Sequence, residues 1–168
     1  MLLPAERLRE RVQELAREID GHYDGRDVLV VVVLKGAFVF ASDLVRCLAS
    51  PVEIDFIRLE SYGDNTCSSS EVCVTSELRE PVEDREVLIV EDIIDSGWSL
   101  RFLQDYLTER GAADVKVCAL LDKPARRQVD VTADFVGFTI PDVFVAGYGV
   151  DYAQCFRNLP DVCSLSDE

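Results

Sequence analysis

An unbroken apolar run, Val28 to Leu34, limits the folds open to this 168-residue chain more than any other segment does. A run of mostly β-branched residues with no polar position is typical of a strand that is buried on both faces, as in a parallel sheet. Asp27 and the pair Lys35-Gly36 bound the run, which is too short to span a bilayer. We therefore expect this segment to be a central strand of a parallel sheet.

Helical and strand-like patterns alternate along the chain. Apolar residues at three- and four-residue spacing, ended by Asp20-Gly21, predict the first helix. Helices are expected at residues 6–19, 37–48 and 100–110. Further strands are expected at residues 52–58, 72–75, 87–90 and 115–121. This alternation predicts an α/β fold in which helices flank a central parallel sheet.

The chain has the length and composition of one compact domain. From Asp134 onward, short aromatic-rich segments and two prolines interrupt the alternation. We therefore expect a single domain over residues 1–168, with a core at about residues 24–133. Residues 134–168 are expected to form a small hood together with the N-terminal segment.

Charge and cysteine usage restrict the partners and the compartment. A net charge of −15 disfavours nucleic acid as a partner, because binding to nucleic acid requires a basic surface. The six cysteines fall at irregular intervals without a CxxC pair, which indicates reduced thiols. The N-terminus lacks the apolar run of a signal peptide. We expect a cytoplasmic protein with neither a nucleic-acid nor a membrane partner.

The segment from Val87 to Leu100 carries the most chemical information. A buried strand delivers Glu91 and Asp92 at its C-terminal end, the edge where open α/β sheets bind ligands. The turn from Asp95 to Ser99 then leads into a helix, and its backbone N–H groups can bind a phosphate group. The same residues also suit a helix cap beside a solvated strand end, so the spacing alone leaves both interpretations open. The segment is neither a Walker loop nor a GxGxxG motif.

This segment closely resembles the phosphoribosyl pyrophosphate (PRPP) motif of type I phosphoribosyltransferases, in the form found in the hypoxanthine-guanine branch. The motif is an acidic pair followed by Asp-Thr/Ser-Gly-x-Thr/Ser. Further matches are Val33 to Ala37, Ser61 to Gly63, Leu120 to Pro124, Asp134 to Phe138, Ile140 to Asp142, Gly147 to Tyr152 and Phe156 to Leu159. Those from Asp134 onward point to the purine branch, and the short N-terminus is similar to that of its bacterial members.

The resemblance implies the type I phosphoribosyltransferase fold and an enzyme that moves the 5-phosphoribosyl group of PRPP onto a 6-oxopurine. The products in purine salvage would be IMP or GMP and pyrophosphate. The implied 5-phosphate and ribose contacts are Glu91, Asp92, Asp95, Ser96, Gly97, Trp98 and Ser99. The implied pyrophosphate contacts are Lys35, Gly36 and Arg157, with a cis peptide bond at Lys35. The implied purine contacts are Lys123, Phe144, Val145 and Asp151, and the implied Mg²⁺ ligands are Glu91, Asp92 and Asp151.

Two of these residues have specific chemical roles in the resemblance. Asp95 is the implied general base, which accepts the N7 proton of the purine as N9 attacks the anomeric carbon. Lys123 is implied to donate to the exocyclic O6, which favours 6-oxopurines over adenine because an ammonium group only donates. Ser61 and Tyr62 are implied to lie on a flexible loop that closes over the site. Self-association to a dimer or a tetramer is also implied.

Two alternatives stay open. One is a noncatalytic regulator that keeps the same fold and senses a nucleotide, although Asp95, Lys123 and Asp151 together argue against it. The other is a sibling enzyme that prefers xanthine. Ser96 and Ser99 stand where threonines are commoner in the family, which keeps the hydroxyl groups but loses the methyl groups that stiffen the rotamer.

Overall fold

The computed structural model describes residues 1–62 and 71–165, without the side chains of Ser61, Tyr62 and Glu71. The helices are α1 (Ala5–Tyr23), α2 (Phe38–Val45) and α3 (Trp98–Glu109), and a 3₁₀ turn spans Pro124–Arg126. The strands are β1 (Val28–Leu34), β2 (Val52–Tyr62), β3 (Glu71–Ser76), β4 (Glu86–Ile94), β5 (Asp114–Asp122), β6 (Phe135–Thr139), β7 (Phe144–Ala146) and β8 (Cys163–Leu165).

Six strands form the main sheet in the order β3-β2-β1-β4-β5-β6. All neighbours are parallel except β2 and β3, which pair antiparallel. Alternate residues of the buried strands face opposite layers: Val30 and Val32 pack with α1 and α2, whereas Leu29 and Val31 pack with α3. The predicted α/β fold with a central, mostly parallel sheet is therefore confirmed, and the apolar run of β1 lies at its centre.

Several element boundaries differ from those predicted. Helix α1 does not end at Asp20-Gly21 but continues to Tyr23, because Asp24 adopts the left-handed conformation (φ 48°) and its N–H bonds to the Asp20 carbonyl. Helix α2 is shorter than predicted and ends at Val45. Strand β2 is longer than predicted because its second half pairs with β3.

The C-terminal third divides between the main sheet and a separate strand pair. Strand β6 pairs parallel with β5, so residues 135–139 belong to the main sheet, whereas we expected the hood to begin at about residue 134. Strands β7 and β8 pair antiparallel beyond it. The N-terminal segment joins this pair, since Leu3 bridges to Val162 and the Ala5 N–H donates to Asp161 Oδ1 at 2.7 Å.

The five cysteines that the structure describes are free thiols: Cys47, Cys73, Cys118, Cys155 and Cys163. Among the helices of the described ranges, none combines the length and the apolar content needed to cross a membrane.

Candidate active site

The turn between β4 and α3 leaves backbone donors uncapped. Gly97 precedes α3 with φ 92°, a conformation that favours glycine, and an added β-carbon there would lie 2.6 Å from a Val131 methyl carbon. Because glycine has no side chain, it cannot cap the first N–H groups of the helix. These groups lie beside a depression of about 90 Å³, lined by Glu91, Ile93, Ile94, Asp95, Ser96, Gly97, Ser99 and Leu100. An anion bound in this depression could therefore accept hydrogen bonds from the N–H groups of the turn.

The acidic pair at the end of β4 is held in an environment that opposes its charge. Glu91 is only 8% exposed. Burial, together with the neighbouring Asp92 charge, raises the pKa of Glu91 well above its usual range. Burial also raises the pKa of Asp92, although a hydrogen bond with Glu91 and the nearby Arg157 act in the opposite direction. A cation or a set of hydroxyl donors at this position would stabilise the ionised pair.

The predicted metal ligands do not form one cluster. Within residues 1–62 and 71–165, no group of three or more His, Cys, Asp or Glu side chains converges as a metal site. Asp151 instead pairs with Arg157 through Oδ1 at 2.6 Å, and its Oδ2 accepts the Gln154 N–H at 2.8 Å. The adjacent Glu91 and Asp92 still fit Mg²⁺, which usually takes one or two protein carboxylates and completes its shell with water and substrate oxygens.

The loop after β1 meets the acidic pair. The Leu34–Lys35 peptide bond is cis, as the resemblance implies. A β-carbon on Gly36 would lie 1.7 Å from Asp92 Oδ2, and one on Gly149 would lie 2.3 Å from the Gly36 carbonyl oxygen. Lys35 Nζ and Arg157 Nη2 both lie 3.4 Å from Gln154 Oε1. The three residues predicted to contact pyrophosphate are therefore brought together next to Asp92.

The residues predicted to contact the purine lie after β5, on β7 and after β7. Lys123 follows β5, its N–H donates to the Ile94 carbonyl at 3.0 Å, and it is only 5% exposed. Among the described residues, no carboxylate lies within ion-pairing distance of its ammonium group. Phe144 on β7 is 60% exposed, whereas Val145 is buried. Asp151 lies with Arg157, so it is grouped with the pyrophosphate residues by direct contact.

Two arginines that the sequence reasoning did not select contact Asp95. Arg126 Nε lies 2.8 Å from Asp95 Oδ1, and its Nη1 lies 3.6 Å from Asp142 Oδ1. Arg127 Nε donates to the Asp95 carbonyl at 3.2 Å. The sequence signal was their position as an Arg-Arg pair three residues after Lys123.

The remaining predicted site residues are Ser61 and Tyr62 of the flexible loop and Trp98 at the start of α3. The side chains of Ser61 and Tyr62 and all of residues 63–70 lie outside the described part of the chain, so the flexible loop stays a prediction. Trp98, one of the implied 5-phosphate contacts, donates from its side-chain Nε1 to Gln128 Oε1 at 3.0 Å. It therefore helps to join α3 to the loop after β5.

The family model for the phosphoribosyl transferase domain matches residues 1–153. The chain belongs to the phosphoribosyltransferase family. This phosphoribosyltransferase is 45% identical to the hypoxanthine-guanine phosphoribosyltransferase of Bacillus subtilis, over 95% of its own length and 89% of that protein. It is 48% identical over its whole length to the bifunctional protein TilS/HprT of Listeria monocytogenes, of which it spans only 26%.

Solved structures resemble this phosphoribosyltransferase over nearly its whole length. A hypoxanthine-guanine phosphoribosyltransferase from Bacillus anthracis has a TM-score of 0.95 and 45% identity, covering 99% of this chain and 98% of that one. A hypoxanthine phosphoribosyltransferase from Trypanosoma cruzi, in complex with its product IMP, has a TM-score of 0.93 and 37% identity. That match covers 99% of this chain and 89% of the other.

Proposed function

We propose that this phosphoribosyltransferase moves the 5-phosphoribosyl group of PRPP onto a 6-oxopurine, hypoxanthine or guanine, and forms IMP or GMP with release of pyrophosphate in purine salvage. The observation that carries the proposal is the uncapped turn from Asp95 to Ser99, which shares a depression with the buried Glu91, the neighbour of Asp92. The names of the bacterial relatives support the purine as acceptor.

PRPP would lie across the C-terminal edge of the sheet. The N–H groups of the turn, with the Ser96 and Ser99 hydroxyls, would hold the 5-phosphate, because a helix N-terminus attracts anions. Glu91 and Asp92 would accept hydrogen bonds from the ribose hydroxyls. Lys35, the Gly36 backbone and Arg157 would hold the pyrophosphate, and the contact of both cations with Gln154 Oε1 supports this grouping.

Glu91 and Asp92 would also hold Mg²⁺, the divalent cation that best suits two carboxylates completed by water and substrate oxygens. When bound, this ion neutralises charge that develops on the departing pyrophosphate. The strongly acidic chain needs such a cation, since its net charge of −15 opposes a polyanionic substrate.

The purine would lie between Asp95, Lys123 and Phe144. Asp95 accepts the N7 proton while N9 attacks the anomeric carbon, and the bond from that carbon to pyrophosphate breaks with its electron pair leaving on the pyrophosphate oxygen. Lys123 donates to O6, and its buried side chain, which has no carboxylate partner in the described ranges, supports this role. The exposed ring of Phe144 is free to stack on the base, beside the backbone of Val145.

A steady-state assay tests the proposal. The protein is mixed with PRPP, Mg²⁺ and one of hypoxanthine, guanine, xanthine or adenine, and nucleotide formation is measured. Turnover of hypoxanthine or guanine, with little turnover of adenine, is the expected result. Nucleotide binding without turnover of any base would instead favour the noncatalytic regulator, and dominant turnover of xanthine would favour the sibling enzyme.

We also propose that the chain self-associates in the cytoplasm as a dimer or a tetramer. Phe38, Ile54 and Phe56 are exposed together around a groove of about 230 Å³ between α2 and β2, and apolar surface of this kind marks contact sites between proteins. The free thiols of the five cysteines in the described part of the chain support a reducing compartment. Analytical ultracentrifugation of the wild type and of Phe56→Glu tests the assembly: the variant should sediment as a smaller species.

A further inference from the structure

We propose that Arg127 is a positioning residue that fixes the phosphate turn and Asp95 relative to the purine loop. This inference rests on the proposed function. It assigns no contact with substrate to Arg127. Instead, the guanidinium group holds the main chain from which Asp95 and the anion-binding turn project.

The Arg127 side chain is 16% exposed and joins three segments. Its Nε donates to the Asp95 carbonyl at 3.2 Å, and its Nη1 donates to the Val131 carbonyl at 2.6 Å. Its Nη2 pairs with the Asp122 carboxylate at the end of β5 and lies 3.5 Å from the Ile94 carbonyl. A guanidinium group can serve all these acceptors because its five N–H donors form a rigid planar fork.

Three consecutive carbonyls at the end of β4 accept hydrogen bonds from the loop after β5. Ile94 accepts from the Lys123 N–H at 3.0 Å, Asp95 accepts from Arg127 Nε at 3.2 Å, and Ser96 accepts from the Gln128 N–H at 2.9 Å. The first and third donors belong to the main chain. Of these three donors, Arg127 Nε alone belongs to a side chain, so substitution can remove it.

This arrangement sets the distance between the two side chains that are proposed to contact the purine, those of Lys123 and Asp95. Lys123, proposed to bind O6 of the purine, begins the loop that Arg127 ties to Asp95, proposed to accept the N7 proton. The two atoms lie on one purine, so the spacing of Lys123 and Asp95 has to match the spacing of O6 and N7. Loss of the Arg127 fork would let the turn and the loop move apart, and displacements of about 1 Å are costly in catalysis.

Arg11 offers a matched control far from the site. Its side chain is 17% exposed, almost the same as that of Arg127. It also donates to two backbone carbonyls, Gly137 at 3.0 Å and Val136 at 2.8 Å, and pairs with the carboxylates of Glu14 and Glu18. It joins α1 to β6, so its loss removes the same kinds of contact without touching the turn.

The experiment compares the wild type with Arg127→Gln, Arg127→Lys and Arg11→Gln in kcat, in KM for PRPP and for the purine, and in thermal unfolding. Arg127→Lys keeps a cation opposite Asp122 but lacks the fork, so it should fold like the wild type. Both Arg127 variants should lose about tenfold or more in kcat/KM for PRPP, with a fall in kcat. Arg11→Gln should keep both constants within about twofold of the wild type, whatever its thermal stability.

The outcomes distinguish the positioning role of Arg127 from the proposed function. An active wild type with Arg127→Lys kinetics equal to those of Arg11→Gln would overturn the positioning role alone. Should Arg127→Gln fail to fold, the Arg127→Lys variant still decides. A wild type that turns over no purine would overturn the proposed function and, with it, this inference.

Discussion

Gly36 lies so close to Asp92 that a β-carbon on the glycine would be 1.7 Å from the carboxylate oxygen Oδ2. The contact follows from sheet order, because β1 and β4 are parallel neighbours with Val32 opposite Val90, and both loops leave the same edge. The loop proposed to bind pyrophosphate and the acidic pair proposed to bind ribose and Mg²⁺ therefore form one continuous surface.

Gly36→Ala should disable this surface. The methyl group would push Asp92 or the loop out of place, so kcat/KM for PRPP is expected to fall by about a hundredfold or more. Gly21→Ala is the control, since a β-carbon there meets nothing within 4 Å and position 21 lies inside α1. The control should retain full activity and gain about 0.5–1 kcal/mol in the free energy of unfolding. Equal activity of the two variants would contradict the proposed role of the loop.

Asp95→Asn should separate chemistry from substrate binding. The amide keeps the size of the side chain but cannot take the N7 proton, so kcat is expected to fall by about a hundredfold while the Kd for PRPP changes little. Asp105→Asn, on the exposed face of α3, is the control and should match the wild type. Single-turnover kinetics with isothermal titration calorimetry would measure both effects, and an unchanged kcat would remove Asp95 from the base role.

Lys123→Ala should weaken the preference for 6-oxopurines. Loss of a charged hydrogen bond to O6 is expected to lower the ratio of kcat/KM for hypoxanthine to that for adenine by about tenfold to a hundredfold. Lys116→Ala is the control because Lys116 stands at the opposite end of β5, with Nζ 3.4 Å from Asp134 Oδ1. If both variants kept the wild-type ratio, Lys123 would not be the residue that selects 6-oxopurines.

The main elements of the fold were predictable because their patterns are local. The apolar run of β1, the spacing of α1 and the strand ahead of Glu91 each identify an element without tertiary information. The place of β6 in the main sheet was not apparent from the sequence, because the strand at residues 135–139 is short and partly exposed and depends on pairing with β5. The end of α1 was misjudged because Gly21 is tolerated within the helix and Asp24, not glycine, takes the left-handed position.

The motif residues of the site could be selected from the sequence, whereas the contacts that site residues make with one another could not. The cis peptide at Lys35 came from the family resemblance, and the structure contains it. The contacts of Arg126 and Arg127 with Asp95 join residues more than thirty positions apart, and their position as an Arg-Arg pair after Lys123 does not by itself indicate which residue they contact. Similarly, the pairing of Asp151 with Arg157 was not apparent from the two motifs that contain these residues.

Asp20 should make the stability of the protein depend on acid pH. Burial alone would raise its pKa, but the N–H groups of Ala49 and Ser50, each 2.9 Å from a carboxylate oxygen, outweigh burial and lower it. A lowered pKa means that the ionised carboxylate stabilises the fold above its ordinary pKa and that this contribution is lost as pH falls through the lowered value.

Asp20→Asn should accordingly reduce the free energy of unfolding by about 1 kcal/mol at pH 7. The difference from the wild type should shrink as both proteins are brought to about pH 3. Denaturant unfolding at pH 7, 5 and 3 would measure it. A difference that stays constant over this range would show that the charge of Asp20 does not stabilise the contact between α1 and the residues before β2.

The most direct measurement is a crystal structure of the protein grown with IMP and Mg²⁺. We expect the nucleotide phosphate against the N–H groups of Ser96 to Ser99, the ribose hydroxyls over Glu91 and Asp92, and O6 within hydrogen-bonding distance of Lys123 Nζ. A nucleotide whose phosphate lies at another part of the surface, with no ligand atom at the start of α3, would contradict this expectation.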